Sequence, residues 1–135
     1  MPGSFIDTNV LLYVASGDPA KAERADAILA QGGAISVQVL NELTNVARRK
    51  MQLSWPDIHA FLSPLRGLLT VHPMTIETHE IGLVLAERHH LSIWDAMIVA
   101  SAVHADCETL WSEDMQDGLV IAGRLRIVNP FRVMR

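Results

Sequence analysis

Two rhythms of apolar positions run through this chain, and the switches between them mark its elements. Phe5 and Ile6 read as a short strand, and Val10 to Ala15 as the first turns of a helix. Gly17-Asp18-Pro19 predicts a turn. Pro19 to Gln31, Ala-rich with spaced charges, predicts an amphipathic helix closed by Gly32-Gly33. Ala34 to Val37 reads as a buried strand. Val39, Leu43 and Val46 then recur at helical spacing, with Leu40 and Ala47 beside them, and predict a helix over about 38–50. Ser54-Trp55-Pro56-Asp57 has the form of a helix start, and Ile58, Phe61, Leu62 and Leu65 follow it on one face. Pro64 should end or kink that helix. Leu68 to His72 reads as a strand, and Thr75 opens a long helix to about His90.

Ser92-Ile93-Trp94-Asp95 repeats the helix-start pattern. Behind it, Ala96 to Val103 is apolar on nearly every face, which predicts a buried helix. Glu108 to Trp111 is the next strand, Ser112 to Gly118 a polar turn, and Arg126 to Val128 a last strand stopped by Asn129-Pro130. Strands separated by helices predict right-handed crossovers and a mainly parallel α/β sheet covered on both faces.

Composition narrows the class. The chain has 135 residues, half of them hydrophobic and 19% charged. That predicts one domain over residues 1–135 with one sizeable core. The single cysteine, Cys107, can form no internal disulfide and reads as core, which suits a reducing compartment. The N-terminus lacks the positive segment of a secretion signal, and no apolar run approaches the roughly 20 residues of a membrane helix. These features predict a soluble, cytoplasmic protein. The formal net charge of −4 argues against a general coater of nucleic-acid phosphates. Arg48-Arg49-Lys50 is the one tight basic run; it suits a helix C-terminus and could also touch a nucleic-acid backbone.

Acids change the picture most. Asp7 ends the first strand, Glu42 lies one turn into the helix after the second, and Asp114 follows the fourth, with Asp117 in the same turn. In a parallel sheet these places share one edge, where ligands bind. Asp95 precedes a strand, so this rule alone does not place it. Each acid also has a plainer reading: Asp7 as a helix cap, Glu42 as a solvated helix residue, Asp95 as a capping partner of Ser92, Asp114 and Asp117 as turn residues. A carboxylate walled by Ile6 and Val10, or by Trp94 and Met97, is costly unless paired or bound to a cation. Gathered carboxylates repel, and a divalent ion removes that cost; all-oxygen donors select Mg2+ or Mn2+ over zinc. The six histidines show no zinc-site spacing, and there is no nucleophile elbow, P-loop or dinucleotide fingerprint.

Four stretches together resemble the PIN-domain ribonucleases. They are Phe5 to Tyr13 (FIDTNVLLY), Ser36 to Leu43 (SVQVLNEL), Ser92 to Ala100 (SIWDAMIVA) and Leu110 to Gly118 (LWSEDMQDG). They come in family order and cover nearly the whole chain. The size is similar to that of the VapC-type toxins of toxin–antitoxin pairs. The resemblance implies a three-layer α/β/α sandwich with parallel strand order 3-2-1-4-5. It implies catalytic acids at Asp7, Glu42, Asp95 and Asp114, of which Asp7, Asp95 and Asp114 hold the metal. Asn9 and Ser112 would orient acids and water, and Asp117 is a further candidate acid. The implied reaction is Mg2+- or Mn2+-dependent hydrolysis of RNA, leaving a 5′-phosphate and a 3′-hydroxyl. The resemblance also implies a homodimer and a cognate antitoxin that blocks the acidic pocket; the apolar Trp55 to Leu69 region is a candidate interface.

Other readings share parts of this pattern. Dehalogenase-like phosphatases need a second acid two residues after the first, where this chain has Asn9, and a late lysine, which neither they nor a phosphorylated receiver domain would find after Lys50. An RNA-processing PIN nuclease that is not a toxin, and a non-catalytic scaffold on the same fold, remain open; the four acids favour an enzyme.

Overall fold

The computed structural model describes residues 3–132, so residues 1–2 and 133–135 of the expected domain lie outside the described residues. Phe5 and Ile6 form the core of β1 (Gly3–Ile6), which runs without a loop into α1 (Thr8–Leu12) and a 3-10 turn at Tyr13–Ala15. Asp18 caps α2 (Pro19–Ala30), which leads to β2 (Ala34–Ser36). Ser36 ends that strand and accepts from the Val39 amide, so it also caps α3 (Val37–Arg49). The chain continues through α4 (Trp55–Leu68), β3 (Thr70–His72), α5 (Ile76–His89), α6 (Ile93–His104) and β4 (Cys107–Trp111). It closes with β5 (Val120–Ile121) and β6 (Leu125–Val128).

The strands form one sheet in the order β3-β2-β1-β4-β6-β5. Every neighbouring pair is parallel except β5–β6. The five parallel strands therefore follow the expected order, with β6 as the fifth of them. The antiparallel β5 is an addition that the hydrophobic pattern did not predict. It has two residues, too few to show a period, and it exists because a tight turn with Ala122 and Gly123 at positive φ folds it back onto β6. Helices α1 to α4 pack with one another, and α5 packs along α6. Right-handed crossovers place these two groups on opposite faces of the sheet.

Pro64 does not end α4. The helix runs through it to Leu68. Pro64 and Ala60, whose carbonyl the missing N–H would have met, are both exposed, so water can take the orphan acceptor.

The core lies where sheet and helices meet: Phe5, Ile6, Ile35, Leu110 and Ile127 from the strands, with Val10, Leu11, Ile28, Leu43, Ile98 and Val99 from the helices. As its pattern predicts, α6 is buried continuously from Ala96 to Ala102. Helix α5 approaches α6 closely at Gly82, where an added Cβ would lie 2.6 Å from Met97 Cε. Burial pushes the Cys107 thiol up, away from thiolate chemistry.

Candidate active site

The site begins at the corner where β1 becomes α1. The Asp7 amide donates to the Trp111 carbonyl at 2.9 Å, extending the β1–β4 pairing by one bond. Its side chain then turns back over the first turn of α1, and Oδ1 accepts the Thr8 amide at 2.7 Å. Asp7 is thus a helix cap, but the cap occupies only one of its oxygens. Oδ2 accepts from the Ser112 hydroxyl at 2.8 Å and from Asn9 Nδ2 at 3.1 Å. Only 6% of Asp7 is exposed.

Asn9 is the bracket of the site. Its Nδ2 also donates to Asp114 Oδ2 at 3.1 Å, and its Oδ1 accepts the Glu113 amide at 3.1 Å. One amide side chain therefore ties the end of β1 to the loop after β4. Ser112 does the same from the other side, since its Oγ also accepts the Met115 amide at 3.3 Å. That loop is held from outside by a second cluster. Tyr13 and Lys21 both donate to the Glu113 carboxylate, at 2.6 and 2.7 Å, and Lys21 lies 4.7 Å from the centre of the Tyr13 ring.

Glu42 reaches the same corner from α3. It accepts the Thr8 hydroxyl at 2.5 Å on Oε1 and Gln38 Nε2 at 3.2 Å on Oε2. Gln38 also donates to the Trp94 carbonyl at 3.0 Å, which links α3 to the first turn of α6. Asp95 sits in that turn, with its amide bonded to the Ser92 hydroxyl. Asp7, Glu42, Asp95 and Asp114 line one cavity of about 280 Å³, with Thr8, Asn9, Leu12, Asn45 and Val46 completing its wall. Asp117 stands elsewhere: it accepts the Asn129 amide at 2.7 Å and pairs with Arg132 at 3.1 Å, and it does not line the cavity.

The expected apolar walls are half correct. Ile6 and Val10 are fully buried beside Asp7. Trp94 is 67% exposed and, with Met97, faces a separate apolar groove rather than the acids. The reason is helical geometry, since neighbours in sequence on a helix point about 100° apart.

Among the described residues, no lysine, arginine or histidine lines the cavity. Burial, reinforced by the Asp95 and Glu42 charges, pushes Asp7 up to about 6 from its ordinary 3.8; the Ser112 and Thr8 hydrogen bonds oppose part of this. Asp95 is also raised, by burial first and then by the charges of Asp114 and Glu42. Among the described residues, no three Asp, Glu, His or Cys side chains are gathered closely enough to hold an ion by themselves. Excess negative charge with only oxygen donors is the chemistry of a hydrated hard cation.

Sequence reading assigned no role to Thr8, Gln38 or the Tyr13–Lys21–Glu113 cluster. Gln38 had a signal, because it stands four residues before Glu42 and so shares its helix face. Thr8 and Glu113 had none, because their partners lie 34 and about 100 residues away.

The family model described as PIN domain matches residues 4–116. This chain belongs to the PIN-domain family. The matched stretch contains Asp7, Glu42, Asp95 and Asp114 and stops short of Asp117. No curated protein matches the sequence. Among solved structures, this PIN-domain chain is similar to a toxin–antitoxin complex from Klebsiella pneumoniae, with TM-score 0.72 and 24% identity over 94% of this chain and 97% of the other. It is similar to the DNA-bound VapBC of Salmonella typhimurium, with TM-score 0.69 and 21% identity over 94% and 97%. The Mycobacterium tuberculosis VapC20, a toxin that cleaves the sarcin–ricin loop, gives TM-score 0.67 and 19% identity over 82% and 89%. At these identities the likeness is one of fold.

Proposed function

We propose that this PIN-domain protein is a Mg2+- or Mn2+-dependent ribonuclease and the toxin of a toxin–antitoxin pair, acting in the cytoplasm. One observation carries the reading: four carboxylates from four separate segments line a single cavity to which, among the described residues, no cationic side chain contributes. Family membership and the fold of the toxin structures support it.

In this reading Asp7, Asp95 and Asp114 would hold the ion together with its own waters, with Glu42 beside them. An ion held there would supply the charge needed to activate a water and to steady a phosphodiester during in-line displacement. The chain's own part is orientation. Ser112 and Asn9 fix Asp7 Oδ2, Asn9 also fixes Asp114, and Thr8 and Gln38 fix Glu42, each through a bond that leaves the carboxylate charge in place. Cleavage leaves a 5′-phosphate and a 3′-hydroxyl.

Two partners belong to this reading: a second copy of the chain and a cognate antitoxin. Two apolar surfaces favour protein partners. One is a groove of about 650 Å³ whose rim includes Ile76 and Trp94, 75% and 67% exposed. The other is α4, which buries Ile58 and Leu65 but leaves Trp55 and Leu68 more than half exposed at its two ends.

Expression with and without the neighbouring upstream gene, followed by mapping of RNA ends, tests the toxin reading. The expected result is growth arrest and new 5′-phosphate ends that the neighbour suppresses. No growth effect and no new ends would overturn it. Asp7→Asn should abolish metal-dependent RNA cleavage in vitro while far-ultraviolet circular dichroism stays native; full activity in that variant would remove Asp7 from the site.

A further inference from the structure

The proposed reaction leaves a problem of charge. The protein is acidic overall, with a net charge of −4, and its cavity is lined by carboxylates, yet the substrate is a polyanion. An ion at the acids can serve the scissile phosphate. Phosphates on either side of it need a cation from the chain.

We infer that Arg49 binds an RNA phosphate flanking the scissile one, making the α3 face a substrate groove that leads away from the acids. The inference rests on the nuclease reading above. Helix α3 turns Glu42, Asn45 and Val46 toward the cavity. Arg49 is the next residue in the same rows: four after Asn45, three after Val46 and seven after Glu42. Seven residues rotate a helix by two turns to within about 20°, so Arg49 emerges on the same side as Glu42, about 10 Å further along the axis.

Lys21, Arg24 and Arg48 are committed elsewhere, while Lys50, exposed and outside the ion pairs of the described residues, points about 100° further round the helix. Lys21 is paired with Glu113 at 2.7 Å. Arg24 donates to the Pro130 carbonyl and lies over the Trp111 ring. Arg48, next in sequence, donates to the Leu53 carbonyl at 3.0 Å and lies over the Trp55 ring at 4.8 Å. Arg49 is exposed and, among the described residues, enters no ion pair. The helix end beneath it is firm. Lys50 and Met51 amides both donate to the Val46 carbonyl, and the Leu53 amide donates to the Ala47 carbonyl. A long cationic side chain on a fixed base beside the cavity suits a phosphate contact. The plainer role, a solvated arginine favoured by the helix dipole, predicts no effect on RNA.

The test compares the wild-type chain with Arg49→Gln, Arg49→Lys and Lys50→Gln, using a fluorescent single-stranded RNA oligonucleotide and Mg2+ or Mn2+. Cleavage kinetics are measured in the wild-type background, and anisotropy titrations at several salt concentrations in the Asp7→Asn background. Arg49→Gln is expected to raise KM about tenfold with kcat within about twofold, and to flatten the plot of log Kd against log salt by about 0.7. Arg49→Lys should recover most of the KM, and Lys50→Gln should match wild type. Unchanged KM and salt slope in Arg49→Gln, beside a cleaving wild type, would overturn the Arg49 inference and leave the nuclease reading standing. A wild-type chain that neither binds nor cuts RNA would overturn both.

Discussion

Asp7 combines two roles that compete at the level of one residue. It closes the first turn of α1, and it is a buried carboxylate facing other carboxylates. Its value of about 6 lies above the ordinary 3.8, so between those pH values the folded protein holds a proton that the unfolded chain has released. The stability from this group is complete below about pH 4 and is lost as pH rises through about 6. The shift corresponds to at most about 3 kcal/mol. The metal-free protein should therefore melt at a lower temperature at pH 7.5 than at pH 5.5. Asp95, raised for similar reasons, adds in the same direction. Millimolar Mg2+ should reverse the loss at pH 7.5. Scanning calorimetry with and without chelator checks both effects, and a flat profile across this range would sink the account. The residue scale also explains Asn9. An amide can donate to two carboxylates and accept from a backbone N–H at once, whereas an acid there would add a repelling charge.

Between elements, the site depends on two side-chain bridges. Asn9 and Ser112 join β1 to the loop after β4, and Gln38 joins α3 to the first turn of α6. The second bridge crosses 56 residues of sequence and aligns Glu42 with the turn that carries Asp95. Gln38→Leu keeps the size of the side chain and removes both of its donors. It should lower kcat roughly tenfold to a hundredfold, as loss of a group that orients metal-site acids commonly does, with little change in melting temperature. Single-turnover cleavage rates measure this, and an undiminished rate would mean that Glu42 needs no such support. The capping pattern of Ser92 was legible because it is local. The Gln38 bond to Trp94 was not, because it depends on how α3 and α6 cross.

For the whole molecule, electrostatics would limit how the proposed RNA substrate is held. Only Arg48-Arg49-Lys50 forms a tight basic run and the net charge is negative, so specific orientation must outweigh general attraction. RNA binding should fall only gently with salt, with a log–log slope equivalent to about one or two phosphate contacts on a single strand. Anisotropy titrations between low and physiological salt measure it; a slope several times steeper would point to a broad basic surface. Among the described residues no helix is long and apolar enough to cross a membrane. The exposed apolar groove at Ile76 and Trp94 is the surface that the proposed protein partners would cover.

The sequence by itself determined every element that repeats a local rule. Strands of three to five residues, helices with a Ser, Thr or Asp cap, and the fully apolar α6 follow from periodicity and side-chain chemistry over a few neighbours. Crossover handedness made the parallel sheet legible, and the resemblance of four motifs supplied its strand order. Local pattern could not decide the two-residue β5, the continuation of α4 through Pro64, or the outward turn of Trp94. Each depends on what the rest of the fold leaves exposed or brings alongside. The meeting of Asp7, Glu42, Asp95 and Asp114 is likewise a tertiary fact. Asp95 precedes its strand and reaches the sheet edge only because α6 begins there, with Gln38 bonded to its first turn. Asp117, in the same turn as Asp114, is carried away by Arg132 and the Asn129 amide. Sequence places acids near strand ends; the crossing of strands and helices decides which of them share one charge-laden cavity.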